Sequence, residues 1–229
     1  MSFELTAEQE AIRETAQRFA RERLSPQYQQ ADKSEQLDRA LVREMGQLGL
    51  IGMELPEEFG GMGVGGVTAG VVINEIAYGD LPMSYVQLLG SLLGGILAKH
   101  ANPDISREWL PRIVKGEALV ALGLTEPGGG SVAASLKLRA VRSGNGYVLS
   151  GEKTSMSMST EADAAIVFAR TGAPEDGARG VSGFFVDLNQ PGITRTRFED
   201  LGTKSVARGS AFFDEVFVPP ECLIGDEGR

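Results

Sequence analysis

Along the first half of the chain, apolar residues recur every three or four positions. Ile12, Ala16 and Phe19 share a face if the residues after Thr6 are helical. Thr6-Ala7-Glu8-Gln9 has the form of a capping box, in which a Thr oxygen and a Gln side chain satisfy free N–H groups at a helix start. Ser25-Pro26 predicts the end of that helix. A second starts near Asp38, with Leu41, Met45 and Leu48 on one face and Gly49 as its C-terminal cap. Leu55-Pro56-Glu57-Glu58-Phe59-Gly60-Gly61-Met62-Gly63 reads as a loop with a tight backbone path. Helical spacing then resumes through Val71, Val72, Glu75 and Ile76, through residues 83–99, and through Ile105, Trp109 and Ile113, ending at Gly116.

From Ala118 the period becomes two. Leu136, Leu138 and Ala140 alternate with Lys137, Arg139 and Val141. Ser143-Gly144-Asn145-Gly146 predicts a tight turn, and Tyr147-Val148-Leu149 a returning strand. Ala164–Ala169, Gly183–Val186, Ile193–Arg197 and Ala211–Val218 read as further short strands, and Ala173–Arg179 as a mobile surface loop. The pattern predicts an α+β, two-domain chain: a helical domain over 1–116, then a β domain over 117–229.

Composition narrows the function. Hydrophobic residues make up 42% of 229, enough for a sizeable core, and the formal net charge is −9 with the signs interleaved. A polyanion-binding surface is disfavoured, although one local basic pocket for a phosphorylated ligand is compatible. Cys222 is the single cysteine, so no intrachain disulfide can form and a reducing, cytoplasmic setting is expected. No activating group neighbours Cys222 in sequence, which makes it a packed thiol. With His100 as the single histidine, a standard structural zinc site is excluded. The polar N-terminus lacks the basic and apolar regions of a signal peptide. Tyr85 to Ala98 is apolar but interrupted by Gln87, Ser91 and three glycines, and reads as too short to span a bilayer.

The chemistry concentrates in Leu122-Gly-Leu-Thr-Glu-Pro-Gly-Gly-Gly-Ser131. Glycines after a strand let backbone N–H groups approach a ligand, and Thr125 and Ser131 add hydroxyls. Alone, such a segment is either a polar-ligand loop or a surface turn. It is not a phosphate-binding P-loop, since no Lys-Ser/Thr and no helix follow the glycines.

Five segments in order change that weighting. They are Leu55-Pro56-Glu57-Glu58-Phe59-Gly60-Gly61, then Leu124-Thr125-Glu126-Pro127 with Gly130-Ser131, then Leu149-Ser150-Gly151-Glu152-Lys153. Val216-Phe217-Val218-Pro219 and Leu223-Ile224-Gly225-Asp226-Glu227-Gly228 follow. Their order and separations, across a helix-to-strand transition, resemble the acyl-CoA dehydrogenase family along nearly the whole chain. The resemblance implies a helical N-terminal domain, a β-barrel-like middle domain and a C-terminal helical bundle absent from this chain. It implies FAD, an acyl-CoA substrate, an electron-transfer flavoprotein or similar acceptor, and a homotetramer, with no nucleic acid and no membrane insertion. The catalytic base is expected on the bundle, so no catalytic residue is expected here; Glu126 is implied to be structural.

Residue by residue, the resemblance places Leu122, Leu124 and Thr125 at the flavin edge, and Gly130 and Ser131 near the FAD diphosphate and the CoA arm. Ser155, Met156 and Ser157 form a second flavin segment. Many relatives have Trp-Ile-Thr there; Ser157 keeps a hydroxyl for flavin N5, but Ser155 removes an aromatic wall, leaving the flavin exposed or covered by another side chain. Val132 stands where Asp commonly follows Gly-Ser. Met156 and Met158 are alternatively core filler. Gly90-Ser91-Leu92-Leu93-Gly94-Gly95 falls where relatives line the acyl tunnel, and Ser91 is a candidate substrate contact. Small residues there leave width for a short, branched or alicyclic acyl group, in the manner of cyclohexanecarboxyl-CoA dehydrogenases; tight helix packing is the other explanation of the glycines. A flavin monooxygenase or nitroalkane oxidase would use the same loops, and a non-catalytic binding or assembly module is the reading from another class.

Overall fold

The computed structural model describes residues 4–228. Helix α1 (Ala7–Phe19) starts with the expected capping box: Gln9 N–H donates to Thr6 Oγ1 at 3.2 Å and Thr6 N–H to Gln9 Oε1 at 2.9 Å. A π-helical turn, Ala20–Leu24, extends it to Ser25-Pro26. Helix α2 (Tyr28–Ser34) has no counterpart in the expected pattern, because it buries no residue and so carries no apolar stripe. Asp38 caps α3 (Arg39–Gln47), which buries Leu41 and Met45. Leu48 was expected on that face but lies past the last helical residue and is 40% exposed.

The Pro-Glu-Glu-Phe-Gly-Gly loop contains one 3₁₀ turn, Glu57–Phe59. Gly61 is required there by close approach: a Cβ would sit 2.0 Å from the Leu55 carbonyl oxygen. Helices α4 (Gly66–Gly79), α5 (Leu81–His100) and α6 (Pro103–Val114) follow. The 20-residue α5, with a mean hydropathy of 1.4 over its best window, is long and apolar enough to cross a membrane, which corrects the shorter stretch read from sequence. Over half of that window, 56%, is buried inside the protein, as in a core helix.

The strands are β1 (Val120–Gly123), β2 (Arg139–Ser143), β3 (Gly146–Met156), β4 (Ala164–Arg170), β5 (Val181–Asp187), β6 (Ile193–Arg197), β7 (Gly209–Val218) and β8 (Leu223–Ile224). They form one mixed sheet in the order β6-β7-β3-β2-β4-β5-β8, with β1 pairing in parallel with β4. Leu136 and Leu138 are buried as their alternation predicted, but lie outside the strand because β2 starts only at Arg139. Residues Pro174–Gly180, expected as a mobile loop, form 3₁₀ turns broken at Gly177, with Ala173 N–H donating to Asp176 Oδ2 at 2.8 Å.

The chain divides into two compact units, which differ from the expected 1–116 and 117–229. One holds the chain up to Gly95, Leu110–Glu117 and Leu201–Val206; the other holds Ile96–Trp109, Ala118–Asp200 and Ala207 onward. Local bonds explain the exchange. Trp109 packs edge-on against Phe185 with ring centroids 4.9 Å apart, and Gly225 N–H donates to the His100 carbonyl at 2.8 Å. Lys204 instead donates its N–H to Asp32 Oδ1 at 2.8 Å.

Candidate functional site

Strands β1 and β3 finish side by side. Thr154 N–H donates to the Thr125 carbonyl at 2.8 Å, which ties the residues after β1 to the last residues of β3. Leu122, Leu124 and Thr125 are each half-buried at this end of the sheet. Gly123 opens a passage beneath them: its missing Cβ would lie 3.3 Å from Lys153 Cγ, so the Lys153 stem runs across β1 there. The side chain is fully buried, and its Nζ donates to the Leu124 carbonyl at 3.1 Å and to Glu126 Oε1 at 2.7 Å.

Glu126 also accepts from two backbone donors. Lys137 N–H reaches Oε2 at 2.6 Å and Leu138 N–H reaches Oε1 at 2.8 Å. Burial alone would raise its carboxyl, but the bonds from Lys153, Leu138 and Lys137 outweigh that and hold it below the ordinary range. Burial lowers the Lys153 ammonium, against the pull of Glu126. Glu126 thus spends three hydrogen bonds and its charge on the fold, and it fixes where the glycine-rich turn leaves the sheet.

That turn, Pro127 to Ser131, is exposed, and nothing lies within 4 Å of where Gly128 or Gly129 would carry a Cβ. Gly129 has φ +144°, and its N–H donates to the Glu126 carbonyl at 2.9 Å. A Cβ on Gly130 would press on Thr125 Cγ2 at 3.2 Å, so Gly130 and the Thr125 side chain are neighbours. Ser131 is exposed, and a short 3₁₀ turn, Ala133–Ser135, follows it.

The second segment bends. The register of β3 against β7 shifts between Lys153 and Met156, and Ser155, Met158 and, on the facing chain, Ala207 all have φ between 53° and 60°. Clustered left-handed residues and a bulge are features that re-aim side chains, often beside functional sites. Here they leave Ser155 exposed and Ser157 half-buried while turning Met156 inward. Met156 and Met158, at 1% and 0% exposure, are core residues, so Met156 contributes no side chain to the surface assigned to it from sequence.

A cleft of ≈ 940 Å³ lies along β2, lined by Val132, Lys137, Arg139, Arg142, Arg170 and Thr171 among others. Arg142 pairs with Glu227, which also accepts from the Tyr147 hydroxyl at 2.8 Å. Arg170 donates to the carbonyls of Ala134, Leu136, Ala173 and Gly177, stitching the chain after the glycine-rich turn to the 3₁₀ turns.

Ser91 lies on α5 in the helical unit, half-buried, and accepts from Gln87 Nε2 at 3.2 Å. Gln87 is 0% exposed, and its Oε1 finds no partner among the described residues. Two of the neighbouring glycines leave no tunnel width. A Cβ on Gly90 would meet Ile51 at 2.8 Å and one on Gly94 would meet Leu55 at 2.9 Å, so close packing explains them.

Sequence reasoning gave Lys153, Arg170 and Gln87 no role. For Lys153 the signal was its parity: it shares the inward set of β3 with Tyr147 and Leu149. Cys222 behaves as expected of a packed thiol, its pKa pushed up to about 11 by burial and, secondarily, by Glu221.

Known proteins match over nearly the whole length. The family model for the acyl-CoA dehydrogenase N-terminal domain covers residues 6–117 and that for the middle domain covers 121–216. The chain is 32% identical over 231 residues to mitochondrial isovaleryl-CoA dehydrogenase from Pongo abelii, spanning 98% of this chain and 54% of that protein. A glutaryl-coenzyme A dehydrogenase solved with glutaryl-CoA superposes with a TM-score of 0.94 at 32% identity, over 100% of this chain and 59% of the other. A glutaryl-CoA dehydrogenase from Mycobacterium smegmatis in complex with FADH2 superposes with a TM-score of 0.88 at 29% identity, over 98% and 58%. The chain thus spans a little over half the length of these relatives. It belongs to the acyl-CoA dehydrogenase family and carries that family's N-terminal and middle domains.

Proposed function

We propose that this chain is the flavin-cradling part of an FAD-dependent acyl-CoA dehydrogenase acting on a short or branched acyl-CoA. The observation that carries the reading is the joined end of β1 and β3, where Thr154 N–H, one residue before Ser155, meets the Thr125 carbonyl and a glycine turn with open space at Gly128 and Gly129 follows Thr125. The donor set suits an isoalloxazine edge and a diphosphate: neutral hydroxyls, backbone N–H groups, and a carboxylate, Glu126, already neutralised by Lys153. When bound, FAD supplies a hydride acceptor for dehydrogenation of the carbons α and β to a thioester.

In this reading the Thr125 hydroxyl and the backbone at Leu122 and Leu124 hold the pyrimidine end of the ring, and Ser157 donates near N5. Donors fixed in place before reaction stabilise charge as it develops. Gly130 and Ser131 lie by the diphosphate and the CoA arm, and Lys137 and Arg139 give the neighbouring cleft a positive lining for phosphate. The proton-abstracting base is assigned to a part of the protein outside these residues, and electrons pass on to an electron-transfer flavoprotein. Similarity to isovaleryl-CoA dehydrogenase supports a branched substrate.

The test is stopped-flow reduction of the complete, FAD-loaded protein by acyl-CoA without oxygen. Thr125→Ala or Ser157→Ala is expected to slow flavin reduction about tenfold or more at saturating substrate, the loss expected for one hydrogen bond that strengthens in the transition state. Unchanged rates in both variants with a lowered melting temperature would return these hydroxyls to a structural role. Failure of any acyl-CoA to reduce the flavin anaerobically would favour oxidase or monooxygenase chemistry.

A further inference from the structure

We infer that Arg208 is the side chain that covers the flavin on the Ser155 side; this rests on the flavin reading of the Ser155–Ser157 segment. The bulge that exposes Ser155 faces the start of β7, where Ala207, at φ 53°, turns the chain immediately before Arg208. Arg208 is then fixed on three sides. Asp200 grips it in a two-toothed pair, Oδ1 to Nη2 at 2.6 Å and Oδ2 to Nε at 3.1 Å. Its guanidinium carbon lies 4.9 Å from the centroid of the Phe198 ring. Its Nη1 donates to Ser155 Oγ at 3.4 Å.

These contacts turn a flexible side chain into a held plane. A fork bound at both teeth and stacked on an aromatic face loses little further entropy when a second flat group meets it, and the Arg208 side chain remains 42% exposed. Ser155 itself is exposed and too small to shield a ring. Arg208 lies within hydrogen-bond reach of that serine and stacks on Phe198, so the pair is placed to serve as the wall that Ser155 cannot supply. Because Asp200 balances the charge, the contribution of Arg208 is shielding and planarity more than net charge.

The experiment measures acrylamide quenching of flavin fluorescence in the complete FAD-loaded protein. Acrylamide is neutral, so loss of a cation does not bias its approach. Arg208→Ala is expected to raise the quenching constant about twofold or more, and Arg208→Lys to raise it as well, because an ammonium keeps the charge but has no plane to stack. Asp200→Asn, which loosens the grip, should give a smaller rise and serves if Arg208→Ala does not fold. Wild-type quenching in folded, flavin-loaded Arg208→Ala and Arg208→Lys overturns the assignment to Arg208 alone. If the wild-type protein takes up no FAD, the flavin reading fails and this assignment falls with it.

Discussion

Lys153 is fully buried among apolar strands with one carboxylate for its charge. Removing one partner of such a pair leaves the other uncompensated. Lys153→Met is therefore expected to cost about 3–5 kcal/mol, whereas Lys153→Met combined with Glu126→Gln should cost less than the sum of the two single changes. Urea unfolding of the four proteins closes the cycle, and strict additivity would mean that the pair is not coupled. The carboxyl of Glu126 is depressed in the folded state, so its stabilisation is complete above the ordinary value of 4.5 and is lost as pH falls through the lower folded value. Glu126 was legible as structural only through the resemblance. Its partner was missed because a lysine in a strand reads as an outward residue until the inward parity is counted.

Elements were legible where period and punctuation agreed. The Thr6 cap, the Asp38 cap and the Asn-Gly turn all mark boundaries by side-chain chemistry local to the sequence. Helix α2 and strand β8 were not, since one buries nothing and the other is two residues long. The bulge at Ser155 escaped for a different reason: its register is set by β7, more than fifty residues on, and inverts the parity that would otherwise put Met156 outside. The loop at Gly61 was legible as tight, and it can be tested. Gly61→Ala would press a methyl on the Leu55 carbonyl, a backbone atom that cannot rotate away. A loss of about 1–3 kcal/mol is expected, against a few tenths for Gly66→Ala, whose Cβ would meet nothing within 4 Å. Equal melting temperatures in the two variants would contradict this packing.

For the molecule as a whole, acid and base act through opposing groups. Asp80 caps the start of α5, with Met83 N–H donating to Oδ1 at 3.3 Å. Burial, and more weakly the charge of Asp32, push it up to about 6 from 3.8 in spite of that bond. A carboxyl raised on folding binds its proton more tightly in the folded protein, so between those two values its contribution falls as pH rises. Asp80→Asn keeps the cap geometry and removes the buried charge. It should raise the melting temperature at pH 8, by a stabilisation of at most about 3 kcal/mol, about half of that at pH 5 and little at pH 4. A variant less stable than wild type at pH 8 would show that the charge is compensated.

Residues Leu201–Val206 belong to the helical unit, and Lys204 bonds to Asp32, 172 positions earlier. This fixes an order of events on the ribosome. Chains emerge N-terminus first, and a domain closes only when its last contributing segment is out of the tunnel. The helices can form early from their own local bonds, but the cavity beside α2 and α3 that Ser205 helps to line stays open until six of the eight strands have been synthesised. Newborn chains halted near residue 190 would thus carry a helical unit that is assembled yet unsealed, and the long sequence separation of its final contacts makes sealing the slow step.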